Sequence, residues 1–244
     1  MPGDTMVKGW RTGIALAAAL SVLASAGMAQ DAKKGPPANA VGATGGWGSS
    51  TTKEGAPAGV VFDAKQMALL GEINAYFNGM INLRGVFVQT GADKVRMRGK
   101  FYVKRPGRLR FDYSLPSKLL IISDGQYLAI QDHDLKTDDR IALDSTPFRM
   151  LLRKDVDLVR DARILELQEA EDLVIVTLQD KSPDAPGKIR LFLTRKPNLE
   201  LKEWVTTDAQ GGDTRVELGD LIKTEDLEVG MFKIPGFTLE RLQQ

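Results

Sequence analysis

Cysteine is absent from all 244 residues. Its absence excludes disulfides, thiolate metal sites, cysteine nucleophiles and acylation of this chain at a cysteine. Histidine occurs once, as His133 in the run QDHDLKTDD. A histidine metal site needs partners that the chain lacks, and no G-x-S-x-G elbow accompanies His133 as a nucleophile. The same run lacks the glycine and terminal glutamate of a calcium loop, so it is expected to be a solvated acidic turn. There is no phosphate-binding loop and no dinucleotide fingerprint. Charge of one sign is not in excess either: 33 basic and 32 acidic residues leave a formal charge of +1. That balance argues against a dedicated nucleic-acid binder. The chain is expected to be neither an enzyme nor a holder of cofactor or metal.

Long hydrophobic runs are missing as well. The longest stretch, GIALAAALSVLA from Gly13 to Ala24, spans about 12 residues, short of the ~20 a membrane-spanning helix requires. Lys8 and Arg11 precede it, and small residues follow at cleavage spacing, Ala24-Ser25-Ala26 or Gly27-Met28-Ala29. Residues 1–29 therefore have the pattern of a secretory signal peptide. Cleavage would remove Lys8, Arg11 and Asp4 and leave the remaining charges balanced. Residues 30–60 follow as a Gly, Ala, Ser and Pro-rich leader with Trp47 as its one large aromatic. Such a segment buries too little apolar surface to offset the entropy of ordering and is expected to be flexible.

The folded domain is expected over 61–244. Asp63 with Gln66 fits a capping box, flanked by Phe62 and Met67 as a hydrophobic staple. Leu69, Leu70, Ile73, Tyr76, Phe77 and Met80 recur at helical spacing, which predicts an amphipathic helix over 64–79. The period then changes to two. In 96–104, Arg96, Arg98, Lys100, Tyr102 and Lys104 alternate with Met97, Gly99, Phe101 and Val103, the pattern of a strand with one wet and one dry face. Further strands are expected at 108–113, 119–123, 127–131, 173–179, 189–194, 200–208 and 214–221, with Phe87-Val88-Gln89 in the first. Asp124-Gly125 marks a hairpin. Thr146 and Pro147 suit the start of a second helix, FRMLLR. No parallel crossover pattern is present. A meandering antiparallel sheet of about nine to eleven strands tends to curl, and helices with apolar stripes can cover its concave side. The expected class is mainly β. Composition leaves open whether the interior is hollow or packed.

The basic stretch RMRGKFYVKRPGRLR, 96–110, places its charges on the wet strand face. A solvated face is the first reading, and attraction to anionic headgroups or an acidic partner the second. Arg105 breaks the pattern. It stands before Pro106 at a strand end, where it can turn to the apolar side and use its fork of donors on backbone carbonyls.

The run GKFYVKRPGRLRFDYSLPSKLLIISDGQYLAIQDHDL resembles the central stretch of the LolA family of periplasmic outer-membrane lipoprotein carriers. Phe87-Val88-Gln89 resembles that family's Phe-x-Gln, and TPFRMLL, 146–152, its helix after the central strands. The likeness runs in order over about 64–240. It implies an incomplete antiparallel β-barrel, a half-barrel, with a helical lid over an apolar cavity. It also implies a periplasmic, monomeric chaperone that takes up lipoprotein acyl chains, with no nucleic acid involved. Its implied partners are the lipoproteins, an inner-membrane ABC-type lipoprotein-releasing complex and an outer-membrane acceptor. A carrier of another amphiphile, a phospholipid or glycolipid, is the alternative. The family's lid-latching arginine falls on Arg105. Leu70, Ile73, Phe77, Phe101, Phe111, Phe148 and Leu151 are the candidate cavity or lid lining. The chain departs from the family at Ala129 and Gln131, where Trp and Tyr are common, and in its long leader. The family's acceptor shares the fold but is a lipoprotein, and a chain without cysteine does not suit that role.

Overall fold

The protein is described by a computed structural model over residues 61–236. The expected signal segment, 1–29, the expected leader, 30–60, and residues 237–244 lie outside the described residues. The first helix, α1, spans Ala64–Asn78. Its capping box forms as the sequence predicts: Asp63 Oδ1 accepts from Gln66 N at 2.7 Å, and Gln66 Oε1 accepts from Asp63 N at 3.0 Å. Two of the otherwise unpaired donors at the helix start are thereby satisfied. Leu69, Leu70, Ile73 and Phe77 form its buried stripe. Phe62 packs against the core while Met67 stays exposed.

Eleven strands follow, all antiparallel. The first six are β1 (Asn82–Thr90), β2 (Arg96–Lys104), β3 (Arg108–Tyr113), β4 (Leu119–Asp124), β5 (Tyr127–Asp132) and β6 (Thr137–Ala142). A helical crossover follows, with α2 (Arg149–Leu152) and α3 (Leu158–Asp161). The remaining strands are β7 (Ala162–Glu169), β8 (Leu173–Asp180), β9 (Lys188–Thr194), β10 (Glu200–Thr207) and β11 (Asp213–Lys223). The order in the sheet is β6-β5-β4-β3-β2-β1-β11-β10-β9-β8-β7. The chain thus leaves the centre at β1, meanders to one edge, crosses to the other and meanders back until β11 pairs with β1. The edges β6 and β7 do not pair, so the sheet is an open, incomplete barrel. Charge blunts the β6 edge: Asp138, Asp139 and Arg140 sit within its six residues.

One large core occupies one face of the sheet and takes in α1, α2 and α3. The other face is mostly wet. Arg84, Arg96, Arg98 and Lys100 are exposed there on β1 and β2, as the alternation requires. A small second cluster of Leu120, Ile122 and Ala129 lies under Ile234, where the chain returns across β4 and β5 after the 3-10 turn Val229–Phe232. Arg110 Nη1 donates to Met231 O and Gln131 Nε2 to Pro235 O, both at 2.9 Å, and fasten that return.

The second helix departs from expectation. Thr146 does not cap it; its Oγ1 donates back to Leu143 O at 2.8 Å and closes the 3-10 turn Leu143–Ser145. The nearest acceptor for a threonine hydroxyl is often a carbonyl three residues behind it. α2 instead starts at Arg149, whose guanidinium makes a two-pronged pair with the buried carboxylate of Asp180, Nε–Oδ2 2.6 Å and Nη2–Oδ1 2.7 Å. That pair fastens the crossover to β8.

Candidate binding cavity

Between the inner face of the sheet and the helices lies a cavity of about 130 Å³. Its wall is almost entirely apolar. Phe101, Phe111 and Trp204 come from the strands, Phe77 from α1, and Phe148 and Leu151 from the crossover. The rings meet one another edge to face or stacked. Phe111 meets Phe87 at 4.9 Å, Phe101 at 5.6 Å and Trp204 at 6.1 Å between centroids, and Trp204 meets Phe148 at 6.2 Å. Aromatic pairs in these geometries hold their walls by more than area burial alone.

Five of the seven residues expected to line a cavity or lid therefore do surround it: Phe77, Phe101, Phe111, Phe148 and Leu151. Leu70 and Ile73 do not reach it. Both are fully buried one and two turns earlier on α1, where they pack in the core. Helical spacing identifies a buried stripe but not which of its residues meet a void. Trp204, Tyr113 and Gln89 also line the cavity and were not singled out from sequence as lining. Strict alternation would set Trp204 beside Glu200 and Lys202; a bulge between Leu201 and Glu203 turns it to the buried side with Leu201.

Arg105 is the one charged residue in the wall. It follows β2, and it is nine-tenths buried. Its Nε donates to Arg153 O at 2.9 Å, its Nη2 to the same oxygen, its Nη1 to Phe77 O, and its Nη2 also faces Asn78 Oδ1 at 3.3 Å. Burial pulls the guanidinium below its usual value, and nearby Asp155 opposes that pull. A buried cation needs acceptors of this kind. The Phe77 carbonyl belongs to the last turn of α1, where it also accepts from Met80 N at 3.0 Å and where the helix dipole favours positive charge. One side chain thus joins three elements: the end of β2, the C-terminus of α1 and the crossover after α2.

His133 lies far from this arrangement in sequence and setting, exposed in the β5–β6 turn. Among the described residues no group of three or more His, Asp or Glu side chains is placed to hold a metal ion.

A curled antiparallel sheet that shelters an apolar cavity under helices is the architecture of a binding protein for apolar ligands. The family model described as "Outer membrane lipoprotein carrier protein LolA" matches residues 78–235, and the chain belongs to this family. It is a periplasmic lipoprotein carrier, not an enzyme. The outer-membrane lipoprotein carrier protein of Chromobacterium violaceum is 30% identical over 159 residues, covering 62% of this chain and 75% of its own. That of Alkalilimnicola ehrlichii is 32% identical over 186 residues, covering 74% and 76%. A crystal structure of a LolA superfamily protein from Nitrosomonas europaea aligns with a TM-score of 0.40 at 10% identity, covering 68% of this chain and 97% of that one.

Proposed function

We propose that the cavity receives the acyl chains of lipoproteins, and that α1 and the crossover form a lid that Arg105 holds closed. The observation that carries this reading is the Arg105 grip on carbonyls of both lid elements across an otherwise apolar wall. A solid core would gain nothing from a buried guanidinium at that place, because apolar side chains of similar volume fill such sites at no electrostatic cost. A movable closure does gain, since a few hydrogen bonds can be exchanged for water when the lid opens.

The size of the cavity supports a resting, closed state. About 130 Å³ is below the roughly 300–1,000 Å³ of pockets that enclose small ligands. Loading several acyl chains requires the lid elements to move off the sheet. Each methylene removed from water is worth roughly 0.8 kcal/mol, so acyl burial can offset the Arg105 hydrogen bonds that break on opening. Cargo itself then supplies the driving force, and the carrier needs no nucleotide.

In this reading an inner-membrane ABC-type complex releases the lipoprotein to the carrier, and an outer-membrane acceptor receives it. Residues 1–29 act as the export signal. The test is purification of the carrier from envelope extracts in native form, followed by mass spectrometry of what it holds. Co-purified acylated proteins are expected. Free phospholipid or glycolipid alone would replace the cargo assignment with that of another amphiphile, and a protein holding neither would remove it.

A further inference from the structure

The cavity is polar at one end, and strand register locates that end. On β1 and β2, Leu83 pairs with Val103 next to Arg105, while Gln89 pairs with Met97 six residues along. At ~3.3 Å per residue the two ends stand about 20 Å apart. The lid elements close on the Arg105 end. Gln89, Tyr113, Thr206 and Thr214 collect at the other. Thr206 and Thr214 are half-buried, whereas Gln89 is 4% and Tyr113 9% exposed.

The Tyr113 hydroxyl donates to Gln89 Oε1. Burial holds the phenol far above its ordinary value, so it remains a protonated donor. Gly99 leaves room beside this pair. It sits between Phe87 and Tyr113 on neighbouring strands, and a Cβ there would meet Phe87 Cε1 at 2.7 Å and the backbone oxygen of Asp112. Gln89 lines the cavity, and with its oxygen engaged Nε2 is the end of the amide left to meet a ligand. Among the described residues Nε2 has no hydrogen-bond partner. That donor is left for a ligand acceptor to complete. No cation lines this end, so a carboxylate would lie there uncompensated. An uncharged carbonyl, standing where an apolar chain joins a polar group, satisfies it.

We propose that Gln89, oriented by Tyr113, donates to the ester carbonyl of an acylglyceryl group. The carrier then selects ester-linked acyl chains over chains of equal length without that carbonyl. The proposal deepens the acyl-carrier reading and rests on it.

The experiment displaces an environment-sensitive dye from the mature carrier with two glyceryl-cysteine lipopeptides of one peptide sequence. One carries two palmitoyl esters and the other two hexadecyl ethers. One net hydrogen bond corresponds to roughly fivefold tighter binding of the ester. The double variant Gln89→Leu/Tyr113→Phe, which leaves no hydroxyl without an acceptor, should bring the ratio to about one. Equal binding of the two probes by the unaltered protein, or a preference that survives in the double variant, overturns the proposal. Displacement by neither probe overturns the acyl-cavity reading and this one with it. Should the double variant fail to fold, infrared spectra of a carbonyl-labelled ester probe on the unaltered protein decide. A lower stretching frequency than in apolar solvent is expected, and an unshifted one overturns the assignment.

Discussion

Asn78 and Val156 exchange a reciprocal pair of hydrogen bonds: Asn78 Nδ2 donates to Val156 O at 2.9 Å, and Val156 N donates to Asn78 Oδ1 at 2.8 Å. The side-chain amide stands in for a strand neighbour. Together with Asn74, whose Oδ1 accepts from Leu158 N at 3.0 Å, it ties the crossover to α1. The same Asn78 oxygen also faces Arg105. Two asparagines thus hold α1 and the crossover to each other, while the arginine holds both to the sheet.

Replacing Asn78 with alanine leaves the backbone of the buried Val156 without partners. The expected loss is about 1–3 kcal/mol in urea denaturation. Asn74→Ala removes one bond rather than two and should cost less. Equal stability of Asn78→Ala and the unaltered protein would show that water replaces the amide without loss.

Arg105→Leu keeps apolar bulk and removes the guanidinium donors to Phe77 and Arg153. The lid should favour its open state. A change of ~1.4 kcal/mol shifts the open-to-closed ratio tenfold. Acyl cargo should still load, while hand-over to the acceptor falls, because the carrier now holds it more tightly. Arg105→Lys should restore little, since a point charge does not reproduce the planar fork. Reconstituted transfer measured beside loading separates the two effects. Normal hand-over by the leucine variant would remove the latch, and a loss of folding would make Arg105 structural.

Asp161 links stability to pH. Its side chain ends α3 between Arg160 and Arg153, at 2.8 and 3.2 Å. The hydrogen bond from Arg160, ahead of the charges of Arg153, Arg160 and Arg149, lowers its pKa below the ordinary 3.8. A group depressed on folding contributes its stabilisation fully above the unfolded pKa and loses it as pH falls through the folded value. Asp161→Asn should therefore be the less stable protein at neutral pH. The gap between the two proteins should close below about pH 4. Denaturation curves across that range check the sign, and a gap that widens in acid would contradict it.

His133→Ala should leave folding and transfer unchanged, because the side chain is exposed in a polar turn away from the cavity wall. Transfer assays on the folded variant are the check. Loss of transfer there would point to chemistry in the β5–β6 turn that the cavity does not explain.

Much of this architecture is already present in residue order. Asp63 and Gln66 announce the start of α1, because their capping bonds are local in the chain. Alternation locates β2 and β3 to the residue, because burying one face of a sheet forces a period of two. The edges escaped: β6, TDDRIA, has polar residues on both sides, and β7 carries its own charges, so neither shows a dry face. Thr146 and Pro147 signal a helix start, but a nearer carbonyl claims the hydroxyl.

For the cavity, sequence identified the apolar side chains and picked out Arg105 by its place before Pro106. It could not sort them. Leu70 and Phe77 share one stripe of α1, yet only Phe77 meets the void, because the curl of the sheet decides how far the helix stands from each strand. Nor could it bring Arg105 to Phe77 and Arg153, or Gln89 to Tyr113 across Gly99. Those hydrogen bonds join residues 24 to 48 positions apart. Local pattern determines which face of each element turns inward. Which inward residues meet is decided only when register and packing set all the elements at once.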